Sequence, residues 1–503
     1  MIKKIVLVVI AVLAVGALAL VLYARSMLAS DNVRATLEQR LTAQIGEPVK
    51  IASASARIYP RVALDLGNVT VGDPPEVSVE RVSISTGLRG LFSRRVEDAE
   101  VTLSGGRVML PAALALTTIG DARSEDGENG APGLTVDSVR AIALRDVEVM
   151  AGSSSVRVDS DSALEGGRLT ISRLTVESPR TRFEASGTVT TATRHGRFDV
   201  VADSLDIDEL LTIAAGLTSG DSDGRSAPVK PMRLELEVAA KAGRFAGYDF
   251  SDCKASLNAT PGRVNMPALA FQIFGGSFAG SLDADTSAAR PKLRLRGKAD
   301  AMDVSRLAAT AGRPGSITGR LAATIDLAAG GADASALVRS TMGTADAVVT
   351  NGVIPGLEMV RAIVLAFGKP SGAPPPGSGS AFSRLAGHFT VQNGVLRSNN
   401  VTFASRDFDM GGRASLAVPN GAVDAHVDVV LSRELTAQAG TDLRRYAASD
   451  GRVIVPAQIS GTLNQPTVTV DVAAAMRRAL ENELKRRTRG WLDDLIKRKK
   501  GGG

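Results

Sequence analysis

Apolar and polar residues alternate with a period of two over most of the chain. Val62, Leu64 and Leu66 alternate, as do Val77 with Val79, Val101 with Leu103, Val147 with Val149, and Leu174 with Val176. The pattern returns at Leu234/Leu236/Val238, Leu293/Leu295, Val427/Val429, Val453/Val455 and Val468/Val470. Each such run gives a strand one apolar and one polar face. Gly105-Gly106, Gly166-Gly167, Gly275-Gly276, Asn393-Gly394 and Asn420-Gly421 supply turns for antiparallel hairpins between them. Helical spacing takes over only briefly. Val33, Leu37, Leu41 and Ile45 recur every four residues across 31–45, and short amphipathic helices are predicted over 207–217, 304–311, 356–367 and 433–448.

One stretch has neither period. After Lys3 and Lys4, Ile5–Tyr23 is an unbroken uncharged run. As a helix it would rise about 28 Å, close to the hydrocarbon thickness of a bilayer. A cleaved signal peptide, the alternative, has an apolar region of about 7–15 residues before its small-x-small site. The one such triplet, Ala17-Leu18-Ala19, lies inside the run. We therefore expect an uncleaved single-pass anchor in the cytoplasmic membrane. The short leader keeps the N-terminus cytoplasmic, and the body lies beyond that membrane.

The predicted fold class is mainly β with short α-helices. An N-terminal transmembrane helix leads into a long, curved, largely antiparallel β-sheet forming a groove, and a C-terminal helix follows. Expected segments are the anchor (1–25), a first helix and β-groove (26–218), a middle groove repeat (219–368), a C-terminal β region (369–470) and a basic helix and tail (471–503). Loops are expected at 120–133, 219–231 and 369–380. A weak internal repeat supports the modular reading: Asp206-Ile207-Asp208-Glu209-Leu210 and Asp303-Val304-Ser305-Arg306-Leu307 each place an Asp to cap a helix after a strand.

Charge narrows the function. The chain has 59 Lys plus Arg against 53 Asp plus Glu. Ten of those bases and four of the acids lie in residues 477–500, so the rest of the chain is balanced at 49 against 49. With aromatics at only 4%, the body lacks the distributed basic surface and stacking rings of a nucleic-acid binder. The single cysteine, Cys253, excludes an intramolecular disulfide, and with three histidines it excludes a Cys2His2 zinc site. His426 and Asp428 share a strand face without a nucleophile motif, and Asp221-Ser222-Asp223-Gly224 lacks the later ligands of a calcium loop. We expect no enzyme activity, no cofactor and no metal. In the tail, Trp491, Leu492, Leu495 and Ile496 fall on one helical face beside Arg486 and Lys497. That pattern suits an interfacial helix on anionic lipid, and equally a solvated charged terminus.

So many neutral strands with few large side chains suggest a trough with an apolar floor. The candidate lining is Val62, Leu64, Leu66, Val77, Val79, Val101, Leu103, Val147, Val149, Leu174, Val176, Leu234, Leu236 and Val238. Such a floor would shelter acyl chains at about 0.8 kcal/mol per buried methylene. The opposing interpretation is an ordinary dry core, which would carry large aromatics interlocking across two sheets.

The chain also resembles the AsmA family of envelope proteins. Ile45-Gly46-Glu47-Pro48-Val49-Lys50-Ile51 is similar to the family's opening segment, and Leu66-Gly67-Asn68-Val69-Thr70-Val71-Gly72-Asp73-Pro74 to the strand and turn that follow. Phe274-Gly275-Gly276-Ser277-Phe278 resembles its recurrent hairpin, and Asn351-Gly352-Val353-Ile354-Pro355 its step into a later helix. Phe389-Thr390-Val391-Gln392-Asn393-Gly394-Val395 and Val455-Pro456-Ala457-Gln458-Ile459 resemble its C-terminal region. The resemblance implies an inner-membrane anchor and a periplasmic repeating β-groove of the bridge-like lipid-transfer type. It also implies a part in outer-membrane biogenesis, with phospholipid, the inner membrane through residues 5–23, and outer-membrane or envelope proteins as partners. The alternative function is a scaffold or chaperone for outer-membrane protein assembly that offers sheet edges and carries no lipid.

Overall fold

The computed structural model describes residues 30–45, 47–57, 61–87, 95–96, 98–110, 135–136, 138–151, 154–218, 232–288, 290–331, 333–367, 372–438 and 453–477. The proposed anchor (5–23) and the basic tail residues Arg486, Trp491, Leu492, Leu495, Ile496 and Lys497 lie outside them. So do the 219–231 and 120–133 loops. No helix among the described residues is long and apolar enough to cross a membrane. The described chain is mainly β and divides into two compact units, residues 1–261 and 262–503.

In the first unit, helix α1 (Ser30–Ile45) precedes β1 (Val49–Arg57), β2 (Val62–Val71) and β3 (Val77–Thr86). Then come β4 (Arg95–Val96), β5 (Ala99–Leu110), β6 (Thr135–Val136), β7 (Ser138–Ala151), β8 (Ser154–Glu165) and β9 (Arg168–Glu177). The unit continues with β10 (Arg182–Thr190), β11 (His195–Asp206), helix α2 (Ile207–Thr218), β12 (Arg233–Phe245) and β13 (Tyr248–Thr260). Apart from the short β4–β6 pair, each strand hydrogen-bonds to the next along the chain. The pairings are antiparallel except β5–β7, β11–β12 and the short β4–β6 pair, which are parallel. Of these, β5–β7 and β11–β12 need a long return, and the second uses α2 for it.

Helix α1 covers the free edge of β1. The Val49 amide donates to Thr42 Oγ1 (3.0 Å) and the Ile51 amide to Glu38 Oε1 (2.8 Å), while Leu37 and Leu41 are buried. Those two side chains satisfy edge donors that would otherwise invite another strand.

The second unit is an antiparallel meander. It comprises β14 (Arg263–Ile273), β15 (Gly276–Asp285), β16 (Lys292–Asp303), helix α3 (Val304–Thr310), β17 (Arg320–Gly330), helix α4 (Ala334–Ser340) and β18 (Met342–Ile354). Helix α5 (Met359–Ala366), β19 (Ser380–Gln392), β20 (Val395–Ala404), β21 (Phe408–Ala417), β22 (Val423–Leu431), helix α6 (Arg433–Gln438), β23 (Ile454–Gly461) and β24 (Pro466–Val470) follow. Every consecutive pair from β14 to β24 is antiparallel. At Asn393-Gly394 both residues have positive φ (52° and 71°), the geometry a two-residue hairpin turn demands. Of the predicted Gly-Gly turns, Gly166-Gly167 joins β8 to β9 (φ 53° and 74°), Gly105-Gly106 lies inside β5 instead of turning, and the turn expected at Gly275-Gly276 moves back by one residue: the left-handed pair is Phe274-Gly275 (54° and 71°), and Gly276 begins β15.

Both repeated Asp residues cap their helices. Asp303 Oδ1 accepts from the Ser305 amide at 2.9 Å, and Asp206 Oδ1 from the Glu209 amide at 2.9 Å. In the first unit the cap is part of a larger buried network. Glu209 accepts from Ser178 Oγ (2.6 Å) and Thr181 Oγ1 (2.7 Å), and the Asp206 amide donates to Thr181 Oγ1 (3.2 Å). This network fastens α2 to the turn between β9 and β10. Helix α4 went unpredicted, since its only large apolar residues are the adjacent Leu337 and Val338.

Candidate functional site

Strand register places the proposed lining on one face. In the first unit Leu64 pairs with Ile84, which pairs with Val101, while Leu66 pairs with Val82 and Val82 with Leu103. Val147 and Val149 lie beside Gly106 and Val108; Leu174 and Val176 pair with Ala185 and Phe183. Leu234, Leu236 and Val238 run beside Gly196, Phe198 and Val200. Val62 takes its place on this face by register alone, opposite Thr86.

Burial divides these residues sharply. Leu64, Leu66, Val79 and Val101 are buried in one core cluster shared with Leu37 and Leu41 of α1. Val147, Val149 and Val176 are buried in another, against which Ile213 of α2 packs. Val77, Leu103, Leu174, Leu234, Leu236 and Val238 are only half-buried. A charge at Val176, which is 9% exposed, would therefore enter a packed cluster and test the fold first.

A more open apolar face lies in the second unit. Leu282 pairs with Leu295, Leu295 with Leu327, and Leu327 with Gly343; Gly297 pairs with Ile325, and Ile325 with Ala345. Met266, Leu269 and Phe271 of β14 share the face, opposite Leu282, Gly280 and Phe278. Leu282, Leu293, Leu295, Ile325 and Leu327 are half-buried and belong to no core cluster. The sequence reading picked out Leu293 and Leu295 as a strand and passed over Leu321, Ile325 and Leu327. Their alternation is diluted by alanines at 322, 323, 328 and 329, which carry little apolar signal.

The opposite face of the same strands is charged. Lys292, Arg294, Arg296 and Lys298 are exposed on β16. Arg294 donates through Nε and Nη2 to the two oxygens of Asp326, each at 2.9 Å, and Arg296 Nε lies 3.4 Å from Asp326 Oδ2. The hydrogen bond from Arg294 holds the Asp326 carboxyl below the usual carboxylate range and pushes the guanidinium up. The sheet thus presents a greasy surface on one side and a paired ionic lattice on the other.

Cys253 sits on the apolar face of the first unit, opposite Ala240, where burial pushes its thiol pKa up. A reactive role is disfavoured by that shift. His388 Nδ1 lies 2.7 Å from Asp346 Oδ1, and His426 Nδ1 lies 3.8 Å from Asp424 Oδ1, all four on exposed positions. Asp221, Asp223 and Gly224 lie outside the described residues.

Residues 197–401 match the family model described as the AsmA family. Over that stretch the chain is similar to the AsmA family. Protein AsmA of Escherichia coli (strain K12) is 20% identical over 266 residues, covering 52% of this chain and 42% of that protein. The chain therefore matches less than half of that relative's length. No solved structure matches. The AsmA-matching stretch runs from β11 into β20, so it contains the half-buried apolar positions of β12 and β14–β17.

Proposed function

We propose that this AsmA-like chain carries the acyl chains of phospholipid along its uncovered apolar face, as an envelope protein of outer-membrane biogenesis. One observation carries the reading: the face built by Leu282, Leu293, Leu295, Ile325 and Leu327 has aliphatic side chains in register across adjacent strands, and no core cluster includes them. Apolar area left this way costs free energy in water, and an acyl chain laid along it recovers about 0.8 kcal/mol per methylene. Small residues stand between the leucines (Gly280, Ala323, Ala345), and the Phe278 ring lies against Gly297. On this reading residues 5–23 fix the protein to the inner membrane, the body lies in the periplasm, and head groups stay in water beside the strand ends.

The test is photo-crosslinking in intact cells from a benzophenone side chain at Ile325, with Asp326 on the opposite face as the control. Lipid-mass adducts from 325 and none from 326 are expected. Polypeptide adducts from 325 would instead support the scaffold or chaperone reading.

A further inference from the structure

The half-buried face of the second unit is blocked at one end. Phe278 on β15 is 5% exposed, although Gly280, Leu282 and Ala299 around it are half-buried. Its ring stands 5.3 Å from that of Phe271 on β14. It also leans across to β16, where a Cβ added at Gly297 would fall 2.6 Å from the Phe278 Cζ. The two rings together fill the face from β14 to β16.

Beyond them the face is low. Phe278 pairs with Ala299, Ala299 with Ala323, Ala323 with Ala347, and Ala347 with Gly387 of β19. These four small residues are half-buried, as are Leu295 and Ile325 beside them. At β19 the face closes again: Val391 is 6% exposed, and Phe382 is buried in a core cluster with Phe403. Four strand spacings of about 4.8 Å separate β15 from β19, so the half-buried stretch is about 19 Å long. A bilayer's hydrocarbon core is about 30 Å thick, so one tail reaches about 15 Å into its leaflet. The stretch therefore matches a single tail of membrane length. Methylenes that overran the rings would find no apolar floor and return to water.

We propose that Phe271 and Phe278 form an end stop that limits the length of acyl tail this face accepts. This rests on the lipid-carrying reading and adds tail-length selection to it. The face is then a bounded seat for one tail, with the rings against its methyl end.

The experiment offers the full-length chain in detergent an equimolar mixture of dilauroyl, dipalmitoyl and dibehenoyl phosphatidylcholine, and reads bound lipid by native mass spectrometry. Micelles shelter all three tails, so selection comes from the protein. The wild type should favour dipalmitoyl over dibehenoyl lipid by about ten-fold, which fewer than two unsheltered methylenes would supply. F271A/F278A should bring that ratio near one. Phe271 is only half-buried, so F271A alone tests the stop with less risk to the fold and should relax the ratio part-way. A323F sets a new ring in the middle of the stretch and should shift the preference to dilauroyl lipid. A wild type that takes dibehenoyl as readily as dipalmitoyl lipid overturns the end stop and leaves lipid carriage standing. The wild-type ratio in both F271A and F271A/F278A, or an unchanged tail distribution in A323F, does the same. No lipid on the wild type overturns lipid carriage itself.

Discussion

The two halves of the second unit use the same alternating pattern and bury it to different extents. From β19 to β23 the apolar face is a core: Phe382, Phe403 and Phe408 stand 5.2 Å apart ring to ring in succession, and Met359 and Ile363 of α5 are buried with them. From β14 to β17 the same face carries leucine, isoleucine, alanine and glycine, with Phe271 and the buried Phe278 packed at its β14–β15 end, 5.3 Å ring to ring, and most of it stays half-buried. Alternation therefore decides which way side chains point. Aromatic bulk and an amphipathic helix nearby decide whether the face is sealed. Around Leu295 and Ile325 no core cluster forms among the described residues, and the apolar face stays half-buried.

The largest expected effect is at the sealed half. Phe403 is 1% exposed, and Phe403→Ala should cost about 3–5 kcal/mol in urea unfolding by leaving a cavity. Leu295→Ala, on the half-buried face, should cost about 1 kcal/mol, since only part of the side chain leaves contact and no closed cavity forms. Equal costs at the two sites would erase the distinction between them. A smaller local effect belongs to the helix that follows β16. Asp303→Ala removes the cap on the Ser305 amide and should cost about 1 kcal/mol, with Asp303→Asn restoring most of it. The smallest effect is on the charged side. The Asp326 pKa is lowered in the folded protein, so its contribution is present above the unfolded value of about 3.9 and is lost as pH falls through the folded value. Comparing wild type and Asp326→Asn by thermal melting should show a small gap at neutral pH that closes in acid.

Much of this was legible in the residues. Helix α1, the capped helices at 207–218 and 304–310, and the strand alternation from Val62 to Val470 follow local periodicity and cap chemistry, which a single sequence displays. The observed α5 (Met359–Ala366) lies within the predicted 356–367, and α6 is described only through Gln438 of the predicted 433–448. Coverage was not legible, because it depends on contacts distant in sequence. Val101 and Val147 carry the same alternation as Leu295, yet core clusters enclose the first two and not the third. The sequence argument that a dry core needs interlocking aromatics does apply to β19–β21. In the first unit valines, leucines and isoleucines form a sealed cluster with Phe198 as its one aromatic. The expected segment boundaries at 219 and 369 fall outside the described residues.

The most direct measurement is the phospholipid bound per full-length chain after detergent extraction from cells, compared between wild type and a Leu295→Asp/Ile325→Asp variant. Phospholipid on the wild type and a several-fold loss in the variant, with the melting temperature held within a few degrees, is the predicted result. Equal phospholipid on both, or none on either, would contradict a lipid-carrying face.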